Sequence, residues 1–529
     1  MNKKGGIKMK KAKSRIKVIA MLLSVVLLAG MFTGCSGGEE NKKDKDVVVI
    51  KVGALENAIT DFTNLGLMKK MEEEIGIRFE FSDIMSSASV SLMFTSGDYP
   101  VDVLIGQSGF DSKIQQAASV GDVVELTDDL LAEHAPLWKK FFDEHPEYYA
   151  ASATDGTLLG LPYVQSVDGD RNLRDVWWIN QTWLNELNLK MPTTLEEFKT
   201  VLRAFKNNAG KGSIPENVMP WYSYIGGVTG GQFDFYASYG MEMWDYTGLY
   251  VDDNGQVQCS NMDVRMQAAN KELASMYKEG LLAPESCKDT TAQFQERMYS
   301  QQETPYIGVF TAYSDIPSPE DYVPMTLFTS LSGTEPRVRP AEKGCSKNKT
   351  VIFSTCKNVD KVLEAFNWLA KEENAMSLKY GPEGDGWDYD ETTDTYTVHN
   401  SDYDRGTWAP AGNIAGLVAF QFDGKIQFDD DHEVSSRIEA AKLYEGHIIP
   451  SSHIIPTLDY SGDDLERYND LRTTIFANYS KGMVRKWVNG TEDVESTWDT
   501  YVAQLKALGV EEYIEIVQRA YDNYMSVLK

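Results

Sequence analysis

Cysteine and histidine, the side chains that most often signal metal or nucleophilic chemistry, are scarce: five and six in 529 residues. Beyond Cys35, the four cysteines Cys259, Cys287, Cys345 and Cys356 form no C-x-x-C pair, which excludes a zinc ribbon and a thioredoxin motif. His447 and His453 stand too far apart for one helical turn, and no H-E-x-x-H occurs. No G-x-x-x-x-G-K-[ST] is present, so there is no P-loop. Gly106-Gln107-Ser108-Gly109-Phe110 has Phe where a nucleophile elbow needs its last glycine. Positive charge is also in deficit, 51 Lys+Arg against 79 Asp+Glu for a net charge of −28. That balance disfavours nucleic acid and anionic membrane surfaces as partners. No short-period repeat is visible.

The basic residues that do occur are unevenly spread. Lys3, Lys4, Lys8, Lys10, Lys11, Lys13, Arg15 and Lys17 precede the apolar run from Val18 to Phe32, and no acidic residue falls before Cys35. That run is shorter than the roughly 20 residues that span a bilayer. It ends in Phe32-Thr33-Gly34-Cys35, which resembles a bacterial lipobox: cleavage before Cys35, with that cysteine receiving the lipid. Phe32 departs from the usual Leu, and an uncleaved anchor helix is the competing reading. Residues 1–34 are therefore read as a lipoprotein signal peptide and 35–46, polar and charged, as a tether. No later segment is apolar for long enough to cross a membrane. Export permits Cys259–Cys287 and Cys345–Cys356 bridges, and four separate buried thiols fit equally well.

The body is too long for one core, so two or more lobes are expected. Val47–Val52, Ile77–Phe81 and Val101–Ile105 read as strands, with a helix over 65–75 between the first two. Alternating strands and helices imply an α/β lobe with a mostly parallel sheet, and ligands bind beyond the carboxyl ends of such strands. The loops after Gly53 and Gly106 are thus candidate walls. A crossover at Pro162 precedes a new strand at Val176–Asn180. Thr194 and Glu197 make a capping box for a helix striped by Leu195, Phe198, Val201, Leu202 and Phe205. Asp252-Asp253-Asn254-Gly255 reads as a hairpin turn, and Met266, Ala269, Leu273 and Met276 stripe a helix that stops at Gly280. Strands follow at Tyr306–Phe310 and Val351–Phe353, and two helices close the chain around Gly509.

Acidic residues are abundant, so any chosen pair of carboxylates is weak support for glycoside hydrolysis and reads as solvated surface. Asp168-Gly169-Asp170 copies the start of an EF-hand loop but lacks its Gly and has Ile179 where the bidentate Glu belongs. Asp388, Asp390 and Asp394 lie in a Thr-rich turn. Neither is taken as a metal site, and no cofactor is expected.

Aromatics, by contrast, are plentiful: 27 Tyr and 11 Trp. A sugar ring packs its C–H face on Trp or Tyr while its hydroxyls need Asp, Asn, Arg or Gln at the edges. Four loops offer that mixture: Trp221-Tyr222-Ser223-Tyr224, Trp244-Asp245-Tyr246, Tyr313-Ser314-Asp315 and Asp404-Arg405-Gly406-Thr407-Trp408. The candidate ligand-binding residues are Trp221, Tyr222, Trp244, Tyr313, Arg405 and Trp408, with Arg405 as a hydroxyl or carboxylate clamp. Each ring taken singly reads equally as core packing.

Several segments resemble one family. Leu158-Leu159-Gly160-Leu161-Pro162-Tyr163 is similar to a crossover of the extracellular solute-binding proteins of family 1, the ABC sugar-importer receptors. So are Trp178-Ile179-Asn180, Pro192-Thr193-Thr194-Leu195-Glu196-Glu197-Phe198 and Tyr277-Lys278-Glu279-Gly280-Leu281-Leu282. Tyr380-Gly381-Pro382-Glu383-Gly384 and Trp498-Asp499-Thr500-Tyr501-Val502 resemble its larger Gram-positive lipoprotein subgroup. The resemblance implies a two-lobed periplasmic-binding-protein type II fold with several crossovers. A carbohydrate would be held between the lobes and handed to ABC permease subunits by a non-catalytic receptor at the extracellular face of the membrane. Some relatives carry a calcium loop where this chain has Asn207–Pro215, which lacks the acidic ligands. The expected division is lobe 1 over 47–163, lobe 2 over 164–321, lobe 1 again over 322–385, and a hinge return with C-terminal helices, mostly lobe 2, over 386–529. A surface polysaccharide lyase or hydrolase, and a receptor for a peptide, are the competing functions.

Overall fold

The computed structural model describes residues 47–55, 63–106, 109–164, 173–300, 305–312, 321–331, 333–341, 345–399, 407–409, 425–429, 435–460 and 462–528. Cys35, the acidic loop at 168–172, Tyr313 and Arg405 lie outside them.

The first lobe is built on five strands: β1 (Val48–Leu55), β2 (Ile77–Met85), β3 (Val103–Ile105), β4 (Leu161–Val164) and, far along the chain, β11 (Cys345–Ile352). Their order is β2-β1-β3-β11-β4. Side chains alternate across the sheet as the pleat requires. Val103, Ile105 and Ile352 enter one core with Ile50 and Val52, while Leu104 and Val351 enter another with Phe353. Helices cover both faces, which is why the strands read as continuous apolar runs. The helix Gly66–Ile75 buries Leu67, Met68 and Met71 and ends on Gly76 at φ 70°, a left-handed position that glycine adopts without strain. β1 is parallel to β2 and β3, whereas β11 is antiparallel to β3 and β4. β4 therefore runs in the same direction as β1, β2 and β3, so the sheet is mostly parallel, as expected from the sequence, with β11 the one reversed strand.

The second lobe centres on β5 (Val176–Asn180), β6 (Met219–Trp221), β9 (Ile307–Ala312) and β10 (Tyr322–Pro324), in the order β10-β5-β9-β6. Because β10 pairs with β5, the return to the first lobe expected near residue 322 comes later, where β11 begins at Cys345. On the helix Leu195–Asn207, Thr194 Oγ1 accepts from Glu197 N (3.2 Å). Glu197 Oε2 accepts from Thr193 N (2.9 Å), so the reciprocal bond of the capping box reaches one residue further back than expected. Phe198, Val201, Leu202 and Phe205 are buried along its inner face. The hairpin of β7 (Leu249–Val251) and β8 (Val257–Cys259) turns at Asp252, whose Oδ1 accepts from Asn254 N and Gln256 N. The terminal helices Val494–Ala507 and Val510–Val527 pack Trp498, Tyr501, Leu505, Tyr513 and Val517 into this lobe's core, and Tyr524 also touches the first lobe's core.

A third, small sheet of β12 (Trp387–Asp390), β13 (Thr395–Val398) and β14 (Ile426–Phe428) covers Ala375 and Met376. Asp388 and Asp390 lie on its first strand and Asp394 in the turn, where it pairs with Lys425 at 2.8 Å. The four cysteines Cys259, Cys287, Cys345 and Cys356 are unbridged. Among the described residues, no helix is long and apolar enough to cross a membrane.

A buried ion network ties the second lobe together. Arg339, without exposed surface, donates to Asp175 Oδ2 (2.6 Å), to Asp234 Oδ1 (2.8 Å) and to the carbonyls of Val228 and Trp244 (2.9 Å each).

Candidate ligand cleft

Two cavities, of about 420 and about 300 Å³, share Thr457, Leu458, Tyr460 and Tyr468 as walls. The first is walled on its other side by first-lobe residues: Gly109 and Asp111 from the loop after β3, and Ser346, Lys347 and Lys349 from β11. That loop leaves a strand's carboxyl end, the position from which α/β sheets bind ligands. The second is walled by Trp244, Asp245, Arg472 and Tyr513.

Rings and hydrogen-bonding groups alternate in these walls. Tyr460 and Tyr468 stack at 4.0 Å, and Tyr468 stacks on Tyr513 at 5.2 Å. Arg472 sits 5.1 Å over the ring of Tyr246. Among the described residues, Arg472 has no carboxylate within ion-pair distance. Asp245 holds its position by accepting from Thr247 N (2.8 Å). Arg472 opens a nine-residue π-helix, Arg472–Ser480, a form found frequently at functional sites. In the adjoining cavity Asn348 Nδ2 donates to Asp111 Oδ1 (2.8 Å), and burial pulls Lys349 below the ordinary lysine range against the opposing pull of Asp111. The lobes are tied across this cleft by Lys347 and Asp459, 2.6 Å apart.

The residues singled out from the sequence separate sharply. Trp244 is half-buried on the cavity wall, its Nε1 donating to Pro340 O (3.1 Å) and Arg174 lying 5.6 Å over its ring. Trp221 and Tyr222 are each 1% exposed, which corrects their reading as stacking platforms. Trp221 is enclosed by Trp177, Phe198 and Phe235 at 5.3–6.0 Å. Tyr222 donates to Asp289 Oδ2 (2.9 Å) and stacks on Phe294; burial pushes its phenol far up. The physical reason is that the sheet carrying β6 is covered on both faces, so Trp221 enters the core with Trp177 and Phe198 and Tyr222 the separate core with Trp178 and Phe294. Trp408 is half-buried on the first lobe. Its carbonyl accepts from Leu67 N (2.8 Å), and its ring lies so close to Gly66 that a Cβ there would stand 2.2 Å from Cε3.

Tyr460, Tyr468 and Arg472 escaped the sequence reading. A signal was available: Asp459-Tyr460 is the same aromatic–polar pairing used to select the other loops. A larger groove of about 690 Å³, lined by Glu144, Glu372, Tyr389 and others, shares no wall with the cleft and belongs to the first lobe and its small sheet.

Comparison with known proteins agrees with this architecture. A curated relative, the fructooligosaccharide ABC transporter substrate-binding protein FusA of Streptococcus pneumoniae serotype 4, is 24% identical over 485 residues, covering 87% of each chain. The solved structure of S. pneumoniae FusA in complex with kestose superposes with a TM-score of 0.76 at 20% identity, covering 90% of this chain and 99% of that one. An HMO-binding ABC-transporter-associated solute-binding protein from Bifidobacterium longum infantis gives 0.75 at 22% identity, covering 91% and 99%. These likenesses establish the two-lobed fold. Residues 53–376 match the family described as bacterial extracellular solute-binding protein, and the chain belongs to that family.

Proposed function

We infer that this chain is the receptor subunit of an ABC importer and captures an oligosaccharide in the cleft between its lobes. The observation that carries this reading is the cavity wall itself: Trp244, Tyr460 and Tyr468 beside Asp245 and Arg472. The rings offer faces for sugar C–H groups. The carboxylate and the guanidinium, which do not pair with each other, offer an acceptor and a donor for hydroxyls. The two cavities share four wall residues, and the relatives named above are described as fructooligosaccharide and HMO binders. Trp408, which does not line these cavities, and Arg405 and Tyr313, which lie outside the described residues, remain proposed contributors. The family is one of binding proteins, and no catalytic residue set is assigned.

We also propose that the chain is held at the outer face of the membrane by lipid on Cys35. Cys35→Ala should release the protein to the medium or leave an unprocessed precursor; a variant that stays membrane-bound at mature size refutes the anchor.

The binding test is a thermal-shift screen of fructooligosaccharides such as kestose, other oligosaccharides, monosaccharides and peptides. A ligand at about 100 times its Kd adds about 2.7 kcal/mol of stability. Stabilisation by peptides and by no sugar overturns the reading.

A further inference from the structure

One strap of chain forms much of the cleft wall and is fastened at its start to the connection after β10 and at its end to β11. At its start, Ile449 N donates to Val338 O (2.9 Å), and Ser451–His453 makes one 3-10 turn. At its end, Thr457 Oγ1 donates to Cys345 O on β11 (2.9 Å), and Asp459 pairs with Lys347 while accepting from Asp155 N (3.1 Å). Between these fastenings, Ile454, Ile455, Pro456, Thr457, Leu458 and Tyr460 face the cavity.

His453 is the side chain that binds the strap's leading end to the second lobe. Its Nδ1 lies 2.7 Å from Glu242 Oε2 and its Nε2 3.0 Å from Asp253 Oδ1. A neutral imidazole has one N–H, so with carboxylates at both nitrogens one lone pair would face an anion. Only the imidazolium donates to both. The surroundings are predominantly acidic. Asp252 shares the β7–β8 turn with Asp253, and Arg337 lies on the far side of Glu242 at 3.4 Å. Tyr250 lies on β7, and Arg265 is engaged by Asp263. Partial burial lowers the histidine's affinity for its proton, but the two carboxylates outweigh it and the net shift is upward from 6.5.

We propose that His453 is a positioning residue whose protonated form holds the strap Ile449–Tyr460 against the second lobe, so that the cleft wall is best ordered on the acidic side of neutrality. A group whose folded-state affinity for protons is raised stabilises fully below its unfolded value of about 6.5. That contribution is lost as pH rises through the raised folded value. That the ordered wall receives an oligosaccharide rests on the function proposed above; the fastening itself does not.

The test uses the full chain without ligand. Hydrogen–deuterium exchange of the 449–460 peptide, corrected for intrinsic rate, is followed between about pH 5.5 and about pH 8.5, either side of the histidine range. Protection of the strap should fall several-fold as pH rises, while the helix Val510–Val527 stays constant. His453→Gln should be poorly protected at both extremes. His453→Arg, charged throughout and able to donate to both carboxylates, should restore protection at both. Strap protection that does not change with pH in the parent, or a His453→Gln variant that keeps the change, overturns the proposal. Exchange needs no bound sugar, so a chain that shows this pH response yet ignores every oligosaccharide keeps the strap and rejects the function.

Discussion

Trp221 and Trp244 stand in similar sequence company, each with tyrosines close behind, yet one is buried and the other lies on a cavity wall. Trp221 ends a strand and is packed on by three other aromatic rings, with 1% of its surface exposed. Trp244 lies between elements, with its backbone carbonyl gripped by buried Arg339 and its ring left on a cavity wall. The difference lies in how the backbone is held. Where strand pairing fixes the main chain, the side chain fills the core; where a buried cation fixes a loop, the ring stays half-exposed at a cavity.

Four substitutions sharpen or break this contrast. Trp221→Ala should have the largest effect, about 3–5 kcal/mol of stability from lost contacts and a cavity, read by urea denaturation. A loss confined to sugar affinity would return Trp221 to the ligand site. Arg339→Ala should also cost about 3–5 kcal/mol, because Asp175 and Asp234 are left buried and unpaired. In the folded fraction, fluorescence quenching should also show Trp244 more accessible. Next comes Trp244→Ala, for which calorimetry should show a loss of about 1–3 kcal/mol in oligosaccharide binding, roughly one to two decades in Kd. Its denaturation midpoint should move far less than that of Trp221→Ala; equal shifts in the two would erase the distinction. The smallest effect is expected for Arg203→Ala, which breaks a solvent-exposed pair with Glu279 and should cost less than about 1 kcal/mol. A loss comparable with that at Arg339 would mean that burial does not set the worth of these arginines.

What the sequence revealed follows the same division. The helix Leu195–Asn207 was legible because its cap and stripe are local properties, spaced by the helical period. β1, β2 and β5 were legible as apolar runs. Which strands lie side by side was not, since β11 joins β3 across more than two hundred residues with no local mark of the pairing; the hairpin β12-β13 is local but went unread because its acidic and threonine residues read as a polar turn. At the candidate site, Trp244 alone of the rings singled out lines the two cavities among the described residues. Composition could not tell Trp221 from Trp244, because a ring's exposure is decided by neighbours distant in sequence. Tyr460 and Arg472 were overlooked beside helices that show no sharp stripe.

The placement of β11 between β3 and β4 also sets an order of events as the chain is made. The strand that joins β4 to the rest of the first lobe's sheet is supplied only after the strands of the second lobe have been synthesised. An emerging amino-terminal segment can pair β2, β1 and β3, but β4 has no neighbour until β11 arrives. Such distant pairings slow folding.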